Sequence, residues 1–217
     1  MNSFKYRSLI GMVILTLLFS SCKKERTTAI NTPFQFPSKE IHKIRIDDTG
    51  VKWVATAKGV VSFDNSNWTT YADKENLTTG LISDVLLEVT SGLKKLWMGT
   101  NVGLSAFGFG PTAITVTTLT SKTSDLLSDT ITAMGMDIAN VKYIGTSKGL
   151  SIYNGSSWVN FTGQASEPIL SKYRITAISI AGNGYVYAAT KGGGVSRFQY
   201  TDAVSGAITL KDRKSVV

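Results

Sequence analysis

The chain has 217 residues, of which 42% are hydrophobic and 18% are charged, with a formal net charge of +8 at pH 7. This composition excludes a disordered chain, a collagen and a coiled coil, and the length allows one domain with a substantial core. A single Cys and a single His exclude disulfide frameworks, zinc clusters and Cys–His nucleophile pairs.

Residues 1–21 are predicted to form an export signal. Lys5 and Arg7 precede an apolar run over residues 9–19, which has about half the length that a membrane-spanning helix needs. The next residues, Leu-Phe-Ser-Ser-Cys22, resemble the lipobox of bacterial lipoproteins. The resemblance implies that the leader is removed, that Cys22 is acylated, and that the lipid holds the protein in the outer membrane of the cell envelope, facing the periplasm or the cell surface.

Residues 22–40 are polar and contain two prolines, which is typical of a flexible tether. The folded domain is expected at residues 41–213, where one pattern occurs four times, over about residues 41–71, 82–119, 131–161 and 175–212. Each copy has an aromatic residue, then Thr, then Gly three positions later, and the threonines lie 44, 46 and 44 residues apart. These repeat residues are Trp53, Thr56 and Gly59; Trp97, Thr100 and Gly103; Tyr143, Thr146 and Gly149; and Tyr187, Thr190 and Gly193.

Each copy has the local features of successive strands. It opens with alternating apolar residues, continues through a turn rich in Gly, Asn and Asp, and reaches the aromatic residue on a second strand. A small residue before Thr leaves room for a neighbouring sheet, and Gly turns the chain into a third strand. A period in the forties is typical of a β-propeller with one four-stranded blade per repeat. The sequence therefore predicts an all-β fold of four four-stranded blades.

The segment Trp97-Met-Gly-Thr100-Asn-Val-Gly103-Leu and its three counterparts resemble the two-component regulator propeller repeat. That family builds the periplasmic sensor regions of hybrid histidine kinases and also occurs in lipoproteins. The resemblance implies a β-propeller in the cell envelope. It does not specify a ligand, because propellers carry many functions.

Four blades are the lower limit for a closed propeller. Two arrangements are therefore open, a compact four-bladed ring and an incomplete part of a larger ring. We favour the incomplete ring, because the family usually has more blades. An open arc would expose blade faces and would favour self-association.

Candidate ligand-binding residues follow the repeat threonines at one rim of the propeller. They are Lys58, Asn101, Lys148 and Lys191. Charges of one sign at one rim raise the local concentration of an anion, so an acidic glycan is one candidate ligand. The alternative is that these lysines keep exposed turns soluble.

Aromatic residues are candidates for stacking on a sugar. Trp68, Trp158 and Tyr173 lie outside the repeated positions and are candidates for this contact. The recurring aromatics Trp53, Trp97, Tyr143 and Tyr187 are instead predicted to pack between blades.

The sequence contains no recognisable catalytic set. His42 has no repeat partner or marked base environment, and no calcium loop or phosphate-binding loop occurs. We expect no metal, no cofactor and no nucleic acid partner, and we expect a non-enzymatic module that binds a glycan or a protein. The alternatives are a polysaccharide lyase or hydrolase, and a structural lipoprotein or gene fragment without independent activity.

Overall fold

A computed structural model describes residues 34–71, 80–109, 114–161 and 174–199. These residues form four antiparallel sheets, one for each copy of the repeat, and the strands of each sheet are neighbours in chain order. The first two sheets consist of β1 (Ile41–Ile46), β2 (Lys52–Thr56), β3 (Gly59–Phe63) and β4 (Trp68–Thr70), and of β5 (Ile82–Thr90), β6 (Leu93–Thr100), β7 (Leu104–Phe109) and β8 (Ile114–Leu119). The other two consist of β9 (Ile131–Met136), β10 (Lys142–Thr146), β11 (Gly149–Tyr153) and β12 (Trp158–Asn160), and of β13 (Ile175–Ile180), β14 (Tyr185–Thr190) and β15 (Gly194–Gln199).

The four sheets are the four blades of a β-propeller, and the all-β prediction is confirmed. Three blades have four strands, while the fourth has three strands within the described residues. The remainder of the fourth repeat, which was predicted to extend to about residue 212, lies outside them, as do the predicted leader and Cys22. None of the described residues belongs to a helix long and apolar enough to cross a membrane.

The hydrophobic core lies between successive blades. Each junction has its own cluster of buried side chains, with Trp53 against Val85 and Met98, Trp97 against Met134 and Ile144, and Tyr143 against Val186 and Phe198. Packing therefore runs from the first blade to the fourth in chain order. Among the described strands, no pair from the fourth and first blades packs as neighbouring blades do.

Neighbouring blades approach most closely at the small residue before the repeat threonine. A Cβ atom added to Gly99 would lie 2.6 Å from Ile131 Cγ2, and one added to Gly145 would lie 2.5 Å from Ile175 Cγ2. Both isoleucines are buried at the start of the next inner strand. Small side chains at this position are therefore a condition for the blade-to-blade distance, as the repeat pattern predicted.

Part of the predicted tether contacts the first blade. The Phe34 ring stacks on Trp68 with centroids 4.8 Å apart, and Phe36 meets the same indole edge-on at 5.2 Å. This segment lies over the outer strand β4, on the face of the first blade that points away from the second.

Replacement of Gly145 by Ala tests the close approach. The added methyl group would overlap the buried Ile175 side chain, so we expect a loss of about 1–3 kcal/mol in the free energy of unfolding. Gly182→Ala is the matched control, since a Cβ there meets no atom within 4 Å. Urea unfolding of both variants is the measurement, and equal stability of the two would contradict this account of the junction.

Candidate functional site

The turns between the second and third strands are closed by the repeat threonines. In each, the Thr hydroxyl donates to the carbonyl oxygen of the turn glycine, from Thr56 to Gly59 (2.8 Å), Thr100 to Gly103 (2.8 Å), Thr146 to Gly149 (2.9 Å) and Thr190 to Gly194 (3.0 Å). In the fourth blade, Gly194 takes this position and not the predicted Gly193, because the turn has one more residue and Thr190 pairs with Gly194. The four turns are thus stiffened in the same way.

The rim lysines are exposed on these turns. Lys58 and Lys148 follow a residue that comes directly after Thr, and their backbone N–H groups donate to the Thr hydroxyl at 3.2 and 3.1 Å. Lys191 comes directly after Thr190 and donates its backbone N–H to the Arg174 carbonyl oxygen at 2.8 Å. Arg174 is also exposed, so the structure adds a fourth cation to the edge.

Asn101 lies on the same edge but has a local role. Its side-chain oxygen accepts a hydrogen bond from the Leu81 N–H at 2.8 Å. The cations therefore lie on the first, third and fourth blades. All of these turns lie at one edge of the propeller, because each joins the end of a second strand to the start of a third.

The candidate stacking aromatics lie on the outer strands. Trp68 has Phe63 on one face of its ring at 4.5 Å and Phe34 on the other at 4.8 Å. Trp158 stacks on Tyr153 at 4.5 Å and remains partly exposed. A sugar at Trp68 would have to displace a phenylalanine, whereas Tyr173 lies outside the described residues. Their role in sugar binding stays a prediction.

The recurring aromatics lie at the blade junctions, with one exception. Trp53, Trp97 and Tyr143 are buried, while Tyr187 is 36% exposed. The polar tip of each buried ring donates to a carboxylate, from Trp53 to Asp47 (3.0 Å), Trp97 to Glu88 (2.6 Å) and Tyr143 to Asp137 (2.9 Å). These bonds satisfy polar atoms that the junctions would otherwise bury unpaired.

A buried carboxylate joins three blades. Asp84 on β5 accepts two hydrogen bonds from the Arg45 guanidinium, at 3.2 and 3.0 Å, and one from the Met134 N–H at 2.9 Å. Arg45 also donates to the Met134 carbonyl oxygen at 2.7 Å, and Lys43 lies 3.9 Å from Asp84. Since its oxygens are engaged by donors from the first and third blades, Asp84 is suited to hold blades together.

A second ion pair connects the second and third blades. Lys142 Nζ lies 2.8 Å from Glu88 Oε2 and 4.9 Å from the centre of the Trp97 ring. Burial raises the pKa of Glu88, but hydrogen bonds from Lys142 and Trp97 outweigh it, so the net pKa is lowered. Glu88 is therefore ionised at neutral pH and paired with Lys142.

His42 has a structural partner in the next blade. Its Nδ1 donates to the Ile82 carbonyl oxygen at 2.5 Å, and its Nε2 lies 3.2 Å from Glu40. Ser83 and Thr132, at the same repeat position, donate to the first carbonyl oxygen of the next inner strand, at 2.9 and 2.5 Å. The bond to Ile82 and the Glu40 carboxylate raise the pKa of His42.

Sequence reasoning missed the Asp84 and Glu88 pairs. The available signal was an acid at an inner-strand position that is Ala133 and Ala177 in the third and fourth copies and the oppositely charged Lys43 in the first. Within the described residues, no three His, Cys, Asp or Glu side chains are grouped so that they could hold a metal ion. The chemistry that this arrangement offers is electrostatic attraction at the exposed edge.

Comparisons with known proteins show which solved structures have a similar fold. No family model matches the chain, and no curated protein sequence matches it. Among solved structures, the extracellular domain of a hybrid two component system from B. thetaiotaomicron matches with a TM-score of 0.63 and 20% identity, over 83% of this chain and 24% of that chain.

Two further structures have the same fold. PorZ, a surface component of the type-IX secretion system of P. gingivalis, matches with a TM-score of 0.52 and 17% identity, over 73% of this chain and 26% of that one. Virginiamycin B lyase from S. aureus matches with a TM-score of 0.53 and 12% identity, over 79% and 55%. This chain thus spans less than two thirds of each, and at such identities the likeness establishes the propeller fold alone.

The raised pKa of His42 predicts a pH dependence of stability. A raised folded-state pKa stabilises the fold below the ordinary value of 6.5, and this contribution is lost as pH rises through the folded-state pKa. We therefore expect the stability advantage of the native chain over His42→Gln to decrease between about pH 5 and about pH 9. Urea unfolding across this range measures it, and since the chain has one His, a constant difference would contradict the assignment.

Proposed function

We propose that the protein is a non-enzymatic binding module of the bacterial cell envelope, anchored by a lipid on Cys22, and that its ligand is an anionic glycan. The observation that carries the proposal is the row of exposed lysines on Thr-closed turns at one edge of the propeller. The turns supply rigid positions for the cations, so little backbone entropy is lost when a ligand binds.

The charge balance of this edge favours an anion. Lys58, Lys148, Lys191 and Arg174 are exposed there. Of the acids at the described part of this edge, Glu40 is paired with His42, Asp129 accepts a hydrogen bond from the Ser121 N–H, and Asp125 is exposed. Cations on separate blades match a repeating acidic polymer better than one small anion, because a polymer can contact several turns at once.

The structural neighbours support a sensing or binding role in the envelope. One is the extracellular domain of a two component system, and another is a surface component of a secretion system. The lyase neighbour motivates a second candidate, an enzyme that cleaves a polysaccharide. The carboxylate Asp84 does not favour it, because the donors of two other blades already occupy its oxygens.

Removal of the edge charges tests the proposed ligand class. We expect the combined replacement of Lys58, Lys148 and Lys191 by Gln to weaken binding of polygalacturonate by about tenfold or more, and to flatten its salt dependence. A control triple replacement with the same loss of charge uses residues near the starts of second strands, at the opposite edge. They are Lys52, Lys94 and Lys95.

Calorimetry or biolayer interferometry with polygalacturonate, dextran sulfate and neutral dextran is the measurement. Equal weakening by both triple replacements would show attraction by net charge alone. Equal affinity for neutral dextran would contradict the anionic ligand, and release of shortened chains from any polymer would favour the lyase or hydrolase.

Acylation of Cys22 is testable separately from ligand binding. We expect the native chain to incorporate labelled palmitate and to fractionate with the outer membrane, and Cys22→Ser to lose both, because the thiol is the site of acylation. Ser21→Ala keeps a small residue before the cysteine and is the matched control. Continued labelling of Cys22→Ser, or an unlabelled native chain, would contradict the anchor.

A further inference from the structure

The first blade has an apolar face that the described residues leave uncovered. Ile44 and Ile46 on the inner strand β1 are 58% and 67% exposed, and Ile41 is also exposed. In the second blade, Ile82 and Val85 are the counterparts of Ile41 and Ile44 and are buried against the first blade. Leu87, the counterpart of Ile46, is partly buried on the same cluster. These positions are thus covered where a preceding blade is present.

The fourth blade has a complementary face that the described residues also leave uncovered. Tyr187 is 36% exposed, although its counterpart Tyr143 is 1% exposed. Ala177 and Ser179 on β13 are exposed beside it, and so is Thr176. This face has the aromatic and small side chains that, in the first three blades, receive the isoleucines of the next blade.

The internal junctions show how these two faces would fit. The ring of Trp97 lies 5.9 Å from Tyr153 of the following blade, and that of Tyr143 lies 6.1 Å from Phe198. The same register would bring Tyr187 to Phe63. This aromatic contact would be the third of its kind, whereas at the first junction Trp53 meets Phe109 at 5.9 Å.

Hydrogen bonds from inner-strand side chains to the backbone of the next blade give the same register. His42, Ser83 and Thr132 each donate to the first carbonyl oxygen of the next inner strand. Thr176 is the fourth residue of this series, and the first carbonyl of a following inner strand would belong to Ile41 of another blade. A donor and an acceptor of the same bond are therefore present at opposite ends of the arc.

We propose that a second copy of this chain covers both faces, with the fourth blade of each copy packed on the first blade of the other. The contact repeats the junction that the chain already forms three times, which is why a second copy fits better than an unrelated partner. Used twice, it closes two arcs into one ring of eight blades, a size that propellers adopt. The inference does not depend on the proposed glycan.

The segment around Phe34 is compatible with this contact. Phe34 and Phe36 cover Trp68 on the outer strand and leave a cleft of about 710 Å³ that opens onto Ile41 and Ile44. The inner strand of the partner would lie over these isoleucines, while the phenylalanines remain at the outer strand.

Cross-linking of two single-cysteine variants tests the register. A Cβ added to Gly135 would lie 2.8 Å from Ile178 Cγ2 of the next blade, and the corresponding pair across copies is Ser179 with Ile44. A mixture of Ser179→Cys and Ile44→Cys chains, each also carrying Cys22→Ser so that the introduced thiol is the only one, should form a heterodisulfide. Ser156→Cys, at an exposed serine of an outer turn, mixed with Ile44→Cys in the same Cys22→Ser background is the control.

Light scattering during size-exclusion chromatography tests the assembly without cysteines. The native chain should have the mass of two chains, and Ile46→Glu should weaken the dimer at least tenfold with an unchanged circular dichroism spectrum, because Ile46 is exposed in the single chain. A native chain with the mass of one copy, an Ile46→Glu chain that still dimerises equally well, or equal cross-linking of the control pair would each overturn the proposal. A loss of polygalacturonate binding with an intact dimer would instead count against the proposed function alone.

Discussion

The close approach of neighbouring blades is the constraint on which the rest of the structure depends. It occurs where Gly99 and Gly145 face Ile131 and Ile175 of the next blade. Small side chains there let the buried aromatics of one blade pack on the apolar strands of the next, and let inner-strand side chains reach the next backbone. Burial, hydrogen bonding and the order of the blades follow from this one distance, because a protein interior has little free volume to absorb a larger side chain.

Burial at the junctions requires that polar atoms find partners there. Asp84 receives donors from the first and third blades, and Glu88 receives Lys142 of the third. Replacement of either carboxylate by a neutral residue would leave a partly buried cation without the negative charge that offsets its loss of hydration. These charges therefore hold the blades together, while the lysines of the exposed edge are available for the proposed ligand.

The surfaces that hold the blades together thus differ from the edge at which we propose that a ligand binds. The faces of a blade carry isoleucine, aromatic and small residues, and the edge carries cations on turns that a threonine closes. The two outermost faces have the composition of internal junctions, although the described residues of this chain do not cover them. Association through these faces would leave the charged edge accessible, so assembly and ligand binding would be compatible.

The sequence by itself determined the fold and its repeat. The spacing of Thr56, Thr100 and Thr146 predicts the blades, since strand alternation and glycine turns are local properties of the chain. Only the tertiary structure decided which charges meet, because Arg45 and Asp84 are 39 residues apart and come into contact when two blades close. The exposure of Tyr187 was likewise decided in three dimensions, since its position in the repeat is the same as that of the buried Tyr143, and burial depends on whether another blade lies beside it.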